Sequence, residues 1–339
     1  MGSKFTQPTR KDVAKLAGVS ETVVSYVINN NRYVAQEKRQ RVQDAIKKLN
    51  YRPNNIARTL KGKRSSHIIF IADQIVTEHF SLLISELDKY AYDRGYMVSL
   101  CSNRNTEEFV REIIGRCCDG IIISSISFPQ QFIQMFIDAN IPVVLLENRD
   151  YSEVQGAGRI NNGLYEGARK CVRYLGSLGR KNIIYIDRYS ARNHFSDMND
   201  LRYRGFVEQM RESGFSDNPS SHVITGCDSA EMLRHCVLET LRGPEQIDAI
   251  FGRNDKVACI AMQAAKEAGY SIPRDIAVIG FDNSTMGQYV VPSLTSVEIH
   301  RPEIARIAID MLETMITEHR IPDPVSVETQ LICRDSTKV

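Results

Sequence analysis

Charge is divided unevenly along this chain, and that division limits what it can fold into. Met1–Arg64 holds fifteen Lys and Arg against four Asp and Glu, a net of +11, while Ser65–Val339 carries −9. The near-neutral total of +2 therefore conceals two blocks of opposite sign. This predicts a small basic unit joined to a larger acidic one. Positive charge concentrated near one end suits contact with a phosphate backbone, because neutralising phosphates releases condensed counterions.

Inside the basic block the pattern predicts short helices around a tight turn. Thr9 and Asp12 have capping-box spacing, so a helix starts near Arg10 with Val13, Ala14 and Leu16 on one face. Gly18 supplies the left-handed conformation that a sharp turn needs. Ser20 caps a second helix, Glu21–Ile28, with Val24, Val27 and Ile28 inward. A third amphipathic helix covers about Gln36–Leu49 through Val42, Ala45, Ile46 and Leu49. Helix, Gly-containing turn and helix describe a helix-turn-helix, whose second helix enters the major groove of DNA.

Three stretches of this block, Asp12-Val13-Ala14-Lys15-Leu16-Ala17-Gly18-Val19-Ser20, Asn50-Tyr51-Arg52-Pro53-Asn54 and Ala57-Arg58-Thr59-Leu60, resemble the head of the lactose/galactose repressor family of bacterial transcription regulators. The similarity continues in order through Asp248-Ala249-Ile250-Phe251, Ile272-Pro273-Arg274-Asp275, Gly280-Phe281-Asp282-Asn283, Pro292-Ser293-Leu294-Thr295 and Arg334-Asp335-Ser336-Thr337. It spans essentially the whole chain. The resemblance implies that Ser20 helps to hold a phosphate, and that Glu21, Thr22, Ser25, Tyr26 and Asn29 lie at the DNA, with Tyr51 beside them. It also implies a hinge helix at Asn54–Lys61 that folds when two copies meet in the minor groove, with Asn54 and Ala57 at the DNA and Leu60 wedged into the central base step. Many relatives have Arg where this chain has Tyr26; Val23 replaces the usual Thr, and Ala35 the usual Ser or Thr cap. The expected operator half-site therefore differs from the common family consensus in its outer bases.

From Ser65 the chain alternates apolar runs with amphipathic helical stretches. His67–Ala72, Met97–Ser102, Gly120–Ser124, Val143–Leu146, Asn182–Asp187, Ala249–Phe251 and Ala277–Phe281 read as strands, with a helix around Phe80–Arg94. This alternation predicts parallel sheets with helices on both faces, and the length calls for two subdomains. The expected fold is thus an all-α helix-turn-helix head plus an α/β core of two parallel-sheet subdomains, which the resemblance makes periplasmic-binding-protein-like. The expected divisions are residues 1–52 for the head, 53–64 for hinge and linker, and 65–339 for the core. Within the core, one subdomain takes about 65–160 and 298–322, the other about 161–297 and 323–339. Crossings are expected near Arg159–Gly163, Val297–His300 and Pro322–Val325.

Ligands of open α/β sheets bind at the carboxyl ends of the strands. Asp73, Glu147, Asn254 and Asp282 follow predicted strands, and Arg202 in Arg202-Tyr203-Arg204-Gly205-Phe206 matches the family's ligand-binding arginine. A carboxylate facing a guanidinium can hold vicinal hydroxyls, so a sugar is the expected effector; a nucleobase, an amino acid or a phosphoprotein co-regulator stays open. With no Trp in the chain, stacking on a sugar falls to Phe or Tyr, with Phe128 and Tyr289 as candidates.

Other chemistries lack their signatures. Eight Cys show no C-x-x-C spacing, seven His make no metal set, and no nucleophile is paired with a base. No metal, cofactor or enzymatic activity is expected, and no apolar run approaches membrane-span length. The expectation is a cytoplasmic regulator, a repressor, that binds a palindromic double-stranded operator as a homodimer and responds to a small molecule. Without a heptad tail, a dimer is expected rather than a tetramer. A weaker alternative is a solute-binding or sugar-processing protein with an incidental basic arm.

Overall fold

A computed structural model describes residues 8–52, 64–73 and 76–338. The chain divides into two compact units, Met1–Ser65 and Ser66–Val339. The expected hinge helix, with Asn54, Ala57 and Leu60, lies outside the described residues.

The head comprises α1 (Arg10–Ala17), α2 (Glu21–Asn29) and α3 (Gln36–Leu49). A reciprocal capping box starts α1: Asp12 N–H donates to Thr9 Oγ1 at 3.3 Å, and Thr9 N–H donates to Asp12 Oδ2 at 2.8 Å. Gly18, at φ 63°, ends it in the left-handed conformation that turns the chain into α2. Val13, Ala14, Val24, Val27, Val42 and Ala45 close a common apolar core. Ala35 stands at the start of α3 without a side-chain cap.

The larger unit holds two six-stranded sheets. The first contains β1 (His67–Ala72), β2 (Met97–Ser102), β3 (Gly120–Ser124), β4 (Val143–Leu146) and β5 (Gly158–Asn161). The second contains β6 (Ile183–Ile186), β7 (Val223–Ile224), β8 (Ala249–Gly252), β9 (Ala277–Phe281) and β10 (Thr295–Ile299). β11 (Val325–Ser326) then returns to the first sheet and β12 (Thr329–Ile332) to the second. The strand orders are β2-β1-β3-β4-β5-β11 and β7-β6-β8-β9-β10-β12, so one topology occurs twice without an evident sequence repeat. All pairings are parallel except β10 with β12. Strands such as Ile68–Ala72 and Gly120–Ser124 are buried on both faces, which is why they read as continuous apolar runs.

Helices flank both sheets. Glu78–Asp93 packs on Arg301–Glu318, and Leu164–Ser177 on Leu201–Glu212. Gly205 permits the second crossing, since a Cβ there would stand 2.5 Å from the Tyr165 carbonyl oxygen. The chain passes between sheets after β5, after β10 and between β11 and β12. The last passage falls at Val327–Glu328 rather than at Pro322–Val325, because Val325 and Ser326 pair with Ile160 and Asn161 of β5. A two-residue strand after a Pro-rich stretch gives too little periodicity to be seen in the sequence.

Candidate functional site

In the head, α2 buries Val24 and Val27 and turns its other face outward. Ser20 caps it, its hydroxyl accepting from Val23 N–H at 3.3 Å. Glu21 and Thr22 are exposed in the first turn, where the free N–H groups favour an anion. The Asn29 amide donates to the Ser25 carbonyl at 2.8 Å and lies 3.1 Å from its hydroxyl, so these two half-buried residues brace each other. Tyr26 is half-buried, and the Arg32 guanidinium lies over its ring at 5.2 Å from the centre. Sequence reading missed Arg32, which sits six positions away, beyond the end of the helix. Tyr51, expected at the DNA, is instead 7% exposed and packs into the head core. Its ring is the large apolar body that this small core needs, and periodicity could not show that.

In the larger unit, loops leaving the carboxyl ends of both sheets surround a cavity of about 370 Å³. Asp73 follows β1, Asn148 follows β4, Arg188 follows β6, Arg253 and Asn254 follow β8, and Asp282 follows β9. Thr77, Glu78, His79 and Phe80 close one side at the start of a helix. The volume lies in the range of small-molecule sites.

Arg202 and Asp282 meet in its wall. An Arg202 Nη2–H donates to Asp282 Oδ1 at 3.0 Å, and Nη1–H donates to the Arg253 carbonyl at 2.8 Å. The guanidinium also lies 4.4 Å from the Phe281 ring centre. Asp282 has φ 97°, a left-handed backbone that an L-residue holds only under constraint from its surroundings. Arg301 donates to the Asp282 carbonyl and pairs with Glu298 at 3.2 Å, which supplies part of that constraint. Nδ1 of His79 stands 3.8 Å from Asp282 Oδ1, and burial pushes the imidazole down to about 4.

Arg253 is held by Asp200 and lies 3.6 Å from Asp187, with Ser196 Oγ accepting at 3.0 Å. Burial pushes the Asp255 carboxyl up to about 7, against hydrogen bonds from the Ser296 hydroxyl and Ser284 N–H that favour the anion. Asn254 spends its side-chain oxygen on the cap of the following helix, accepting from Val257 N–H at 3.0 Å.

The other expected ligand positions fare differently. Asp73 lines the cavity, but its carboxylate is occupied by Ser127 Oγ at 2.7 Å, Ile126 N–H at 2.8 Å, Asn103 Nδ2 at 3.1 Å and the Ser125 hydroxyl. Burial alone would raise this carboxyl; the four donors hold it below the usual range. Glu147 does not line the cavity. It pairs with Arg159 at 2.8 Å, and its neighbour Asn148 takes the inward position, anchored on Ser124 Oγ at 2.8 Å. Phe128 is fully buried against Phe109 and Phe136, and Tyr289 is 80% exposed, so neither is available to stack on a ligand in the cavity. Phe80 and Tyr189 are the aromatic rings in the wall. Among the described residues no group of His, Cys, Asp and Glu is arranged to hold a metal, and no helix is long and apolar enough to cross a membrane.

A helix-turn-helix head and a two-sheet core with a polar cavity at its strand ends define a ligand-responsive, DNA-binding regulator. Residues 9–54 match the family described as bacterial regulatory proteins, lacI family, and residues 172–337 match the periplasmic binding protein-like domain. The chain is 30% identical over 339 residues to the HTH-type transcriptional repressor PurR of Histophilus somni (strain 129Pt), covering 97% of this chain and 99% of that protein. The Lac repressor dimer, solved bound to operator and the anti-inducer ONPF, shares the fold with a TM-score of 0.81 at 23% identity, over 98% of this chain and 100% of that one. A periplasmic binding protein/LacI transcriptional regulator from Alkaliphilus metalliredigens QYMF, complexed with D-xylulofuranose, is 25% identical over 81% of this chain and 100% of its own, with a TM-score of 0.65. The chain belongs to the lacI family of bacterial regulatory proteins. It is a transcription regulator and not an enzyme.

Proposed function

We propose that this regulator represses by binding a palindromic operator as a homodimer through Ser20, Glu21, Thr22 and Tyr26, and that a carbohydrate in the inter-sheet cavity sets its affinity for DNA. Two identical heads about a two-fold axis suit a pseudo-palindrome. The observation that carries the ligand reading is a group of buried polar atoms without hydrogen-bond partners among the described residues at one cavity: His79 Nδ1, Arg188 Nε and Arg202 Nε. Leaving such groups unpaired costs about 1–3 kcal/mol each, and a ligand rich in hydroxyls can satisfy several at once. Arg202, Asp282, Asn148 and Asn254 add the fixed donors and acceptors that orient a sugar, and Tyr189 and Phe80 offer apolar faces. The D-xylulofuranose held by the Alkaliphilus relative supports the same class of ligand.

Contacts that bridge the sheets give a ligand its route to the DNA. Glu78 Oε1 accepts from Thr285 N–H at 2.6 Å, and His79 lies beside Asp282. A ligand that alters these contacts changes how the sheets sit, and coupling of about 1–3 kcal/mol is the usual scale for such linkage. The test is a thermal-shift panel of mono- and disaccharides, nucleobases and amino acids. Ligand at a hundred times its Kd adds about 2.7 kcal/mol, a rise of several degrees. A sugar hit that weakens in Arg202→Lys and disappears in Arg202→Ala is expected. A hit confined to nucleobases or amino acids would contradict the carbohydrate assignment.

A further inference from the structure

A second cavity, about 760 Å³, adjoins the first and shares Asp73, Arg188 and Tyr189 with it. Its wall carries Arg104, Arg188, Arg192 and His194, with Asp73 and Asp228 as the carboxylates. Asp73 stays anionic under its four neutral donors and Asp228 is exposed, but among the described residues neither stands within ion-pair distance of these arginines.

Arg188 is the unusual member. Its side chain is 14% exposed, and its one carboxylate within 4 Å among the described residues is Asp200, at 3.8 Å. Asp200 is itself held by Arg253, and Arg188 Nε is buried without a hydrogen-bond partner. Burial and the neighbouring Arg253 push this guanidinium down only to about 10, so it stays cationic at neutral pH. The other buried arginines of the cleft have matched anions: Arg202 has Asp282, and Arg253 has Asp200. Asp200, Asp187 and Asp73 act on Arg188 from a distance, but no carboxylate among the described residues engages its fork directly, and that planar fork fits a carboxylate or phosphate. Asn105, in the same wall, has a buried side-chain oxygen without a partner, which suits a ligand hydroxyl.

We infer that the effector is a polyol bearing an anionic group, a carboxylate or a phosphate, which sits against Arg188 while its hydroxyls reach Arg202, Asp282 and Asn254. Arg104 and Arg192, exposed at the wall of the larger cavity, attract the same charge from solvent. This inference rests on the assignment of the cleft to a carbohydrate in the preceding section. It narrows the ligand from sugars in general to acidic sugars.

Calorimetric titration of the full chain with matched pairs tests it: glucose against glucuronate, galactose against galacturonate, and glucose against glucose 6-phosphate, with inorganic phosphate alone as a fourth probe. In at least one pair the anionic member is expected to bind roughly ten- to a hundredfold more tightly, the range of a charge-assisted hydrogen bond. The uronates and the phosphate separate the two anionic groups. Arg188→Gln is expected to erase the preference while Arg188→Lys retains part of it, and thermal unfolding of each variant establishes that it is folded. Equal binding of both members in every pair overturns the inference and leaves the carbohydrate cleft standing, as does a preference that survives in Arg188→Gln. Inorganic phosphate binding as tightly as glucose 6-phosphate removes the polyol part. If no member of any pair binds, the carbohydrate reading of the cleft falls together with the inference.

Discussion

The Arg202 guanidinium is joined to the Asp282 carboxylate at 3.0 Å, with the side chains only 7% and 12% exposed, so each charge depends on the other for compensation. Removing one partner of a buried pair leaves the other uncompensated, at a cost of about 3–5 kcal/mol. Arg202→Ala is therefore expected to lower the Tm of the ligand-free chain by several degrees. Replacing both, Arg202→Met with Asp282→Asn, should recover much of the loss. Thermal unfolding of the two singles and the double checks this; additive losses would contradict the coupling.

Asp255 and His79 make stability depend on pH in opposite directions. Burial raises the Asp255 carboxyl from 3.8 to about 7, so the folded chain binds the extra proton, and this stabilisation is present below about pH 4 and lost as pH rises through 7. His79, lowered from 6.5 to about 4, contributes stability above 6.5 that is lost as pH falls towards 4. Asp255→Asn removes the first effect alone. The variant is expected to gain roughly 3 kcal/mol relative to the parent between pH 5 and pH 8. Unfolding of both proteins at the two pH values checks it; a difference independent of pH would contradict it.

Tyr26, with Arg32 over its ring, stands at the position where the family resemblance leads to an expectation of Arg. Arg reads guanine through two hydrogen bonds, worth about 1–3 kcal/mol of discrimination, whereas a tyrosine hydroxyl reads less sharply. Tyr26→Arg is expected to move the selected half-site towards guanine at one outer position. Selection from randomised palindromic duplexes with both proteins measures this, and recovery of the same half-site from both would contradict it.

At the start of α3, Ala35 has the extended backbone of a cap, φ −52° and ψ 140°, but no oxygen to offer. Ala35→Ser is expected to stabilise the helix by about 1 kcal/mol. Amide hydrogen exchange across Gln36–Leu49 should slow roughly fivefold, and unchanged rates would show that the cap does not form.

Much of this arrangement was legible because it is local. The capping box at Thr9 and Asp12, the turn at Gly18 and the apolar strands of β1, β3 and β9 follow from neighbouring residues alone. Asn254 and Asp282 follow from their places after strands and Arg202 from motif resemblance, and all three line the cavity. What was missed is tertiary. Glu147 and Asn148 are adjacent, and which of them turns inward depends on where β4 ends and Arg159 stands. The sequence shows Asp73 as a strand-end carboxylate, but the four donors that occupy it come from Asn103 and from the loop Ser125–Ser127. Arg188 and His79 carry no motif; their significance lies in partners they lack, which only the packed chain reveals.

The central claim, that a ligand at Arg202 controls DNA affinity, is tested most directly by one titration. Fluorescence anisotropy of a palindromic duplex, selected from the randomised pool, would be measured at fixed salt with and without the sugar that gives the largest thermal shift. The expected result is a 5- to 150-fold change in Kd for the parent protein and a smaller change for Arg202→Lys at the same ligand concentration. An identical Kd with and without ligand in the parent, or an undiminished response in Arg202→Lys, would contradict the account.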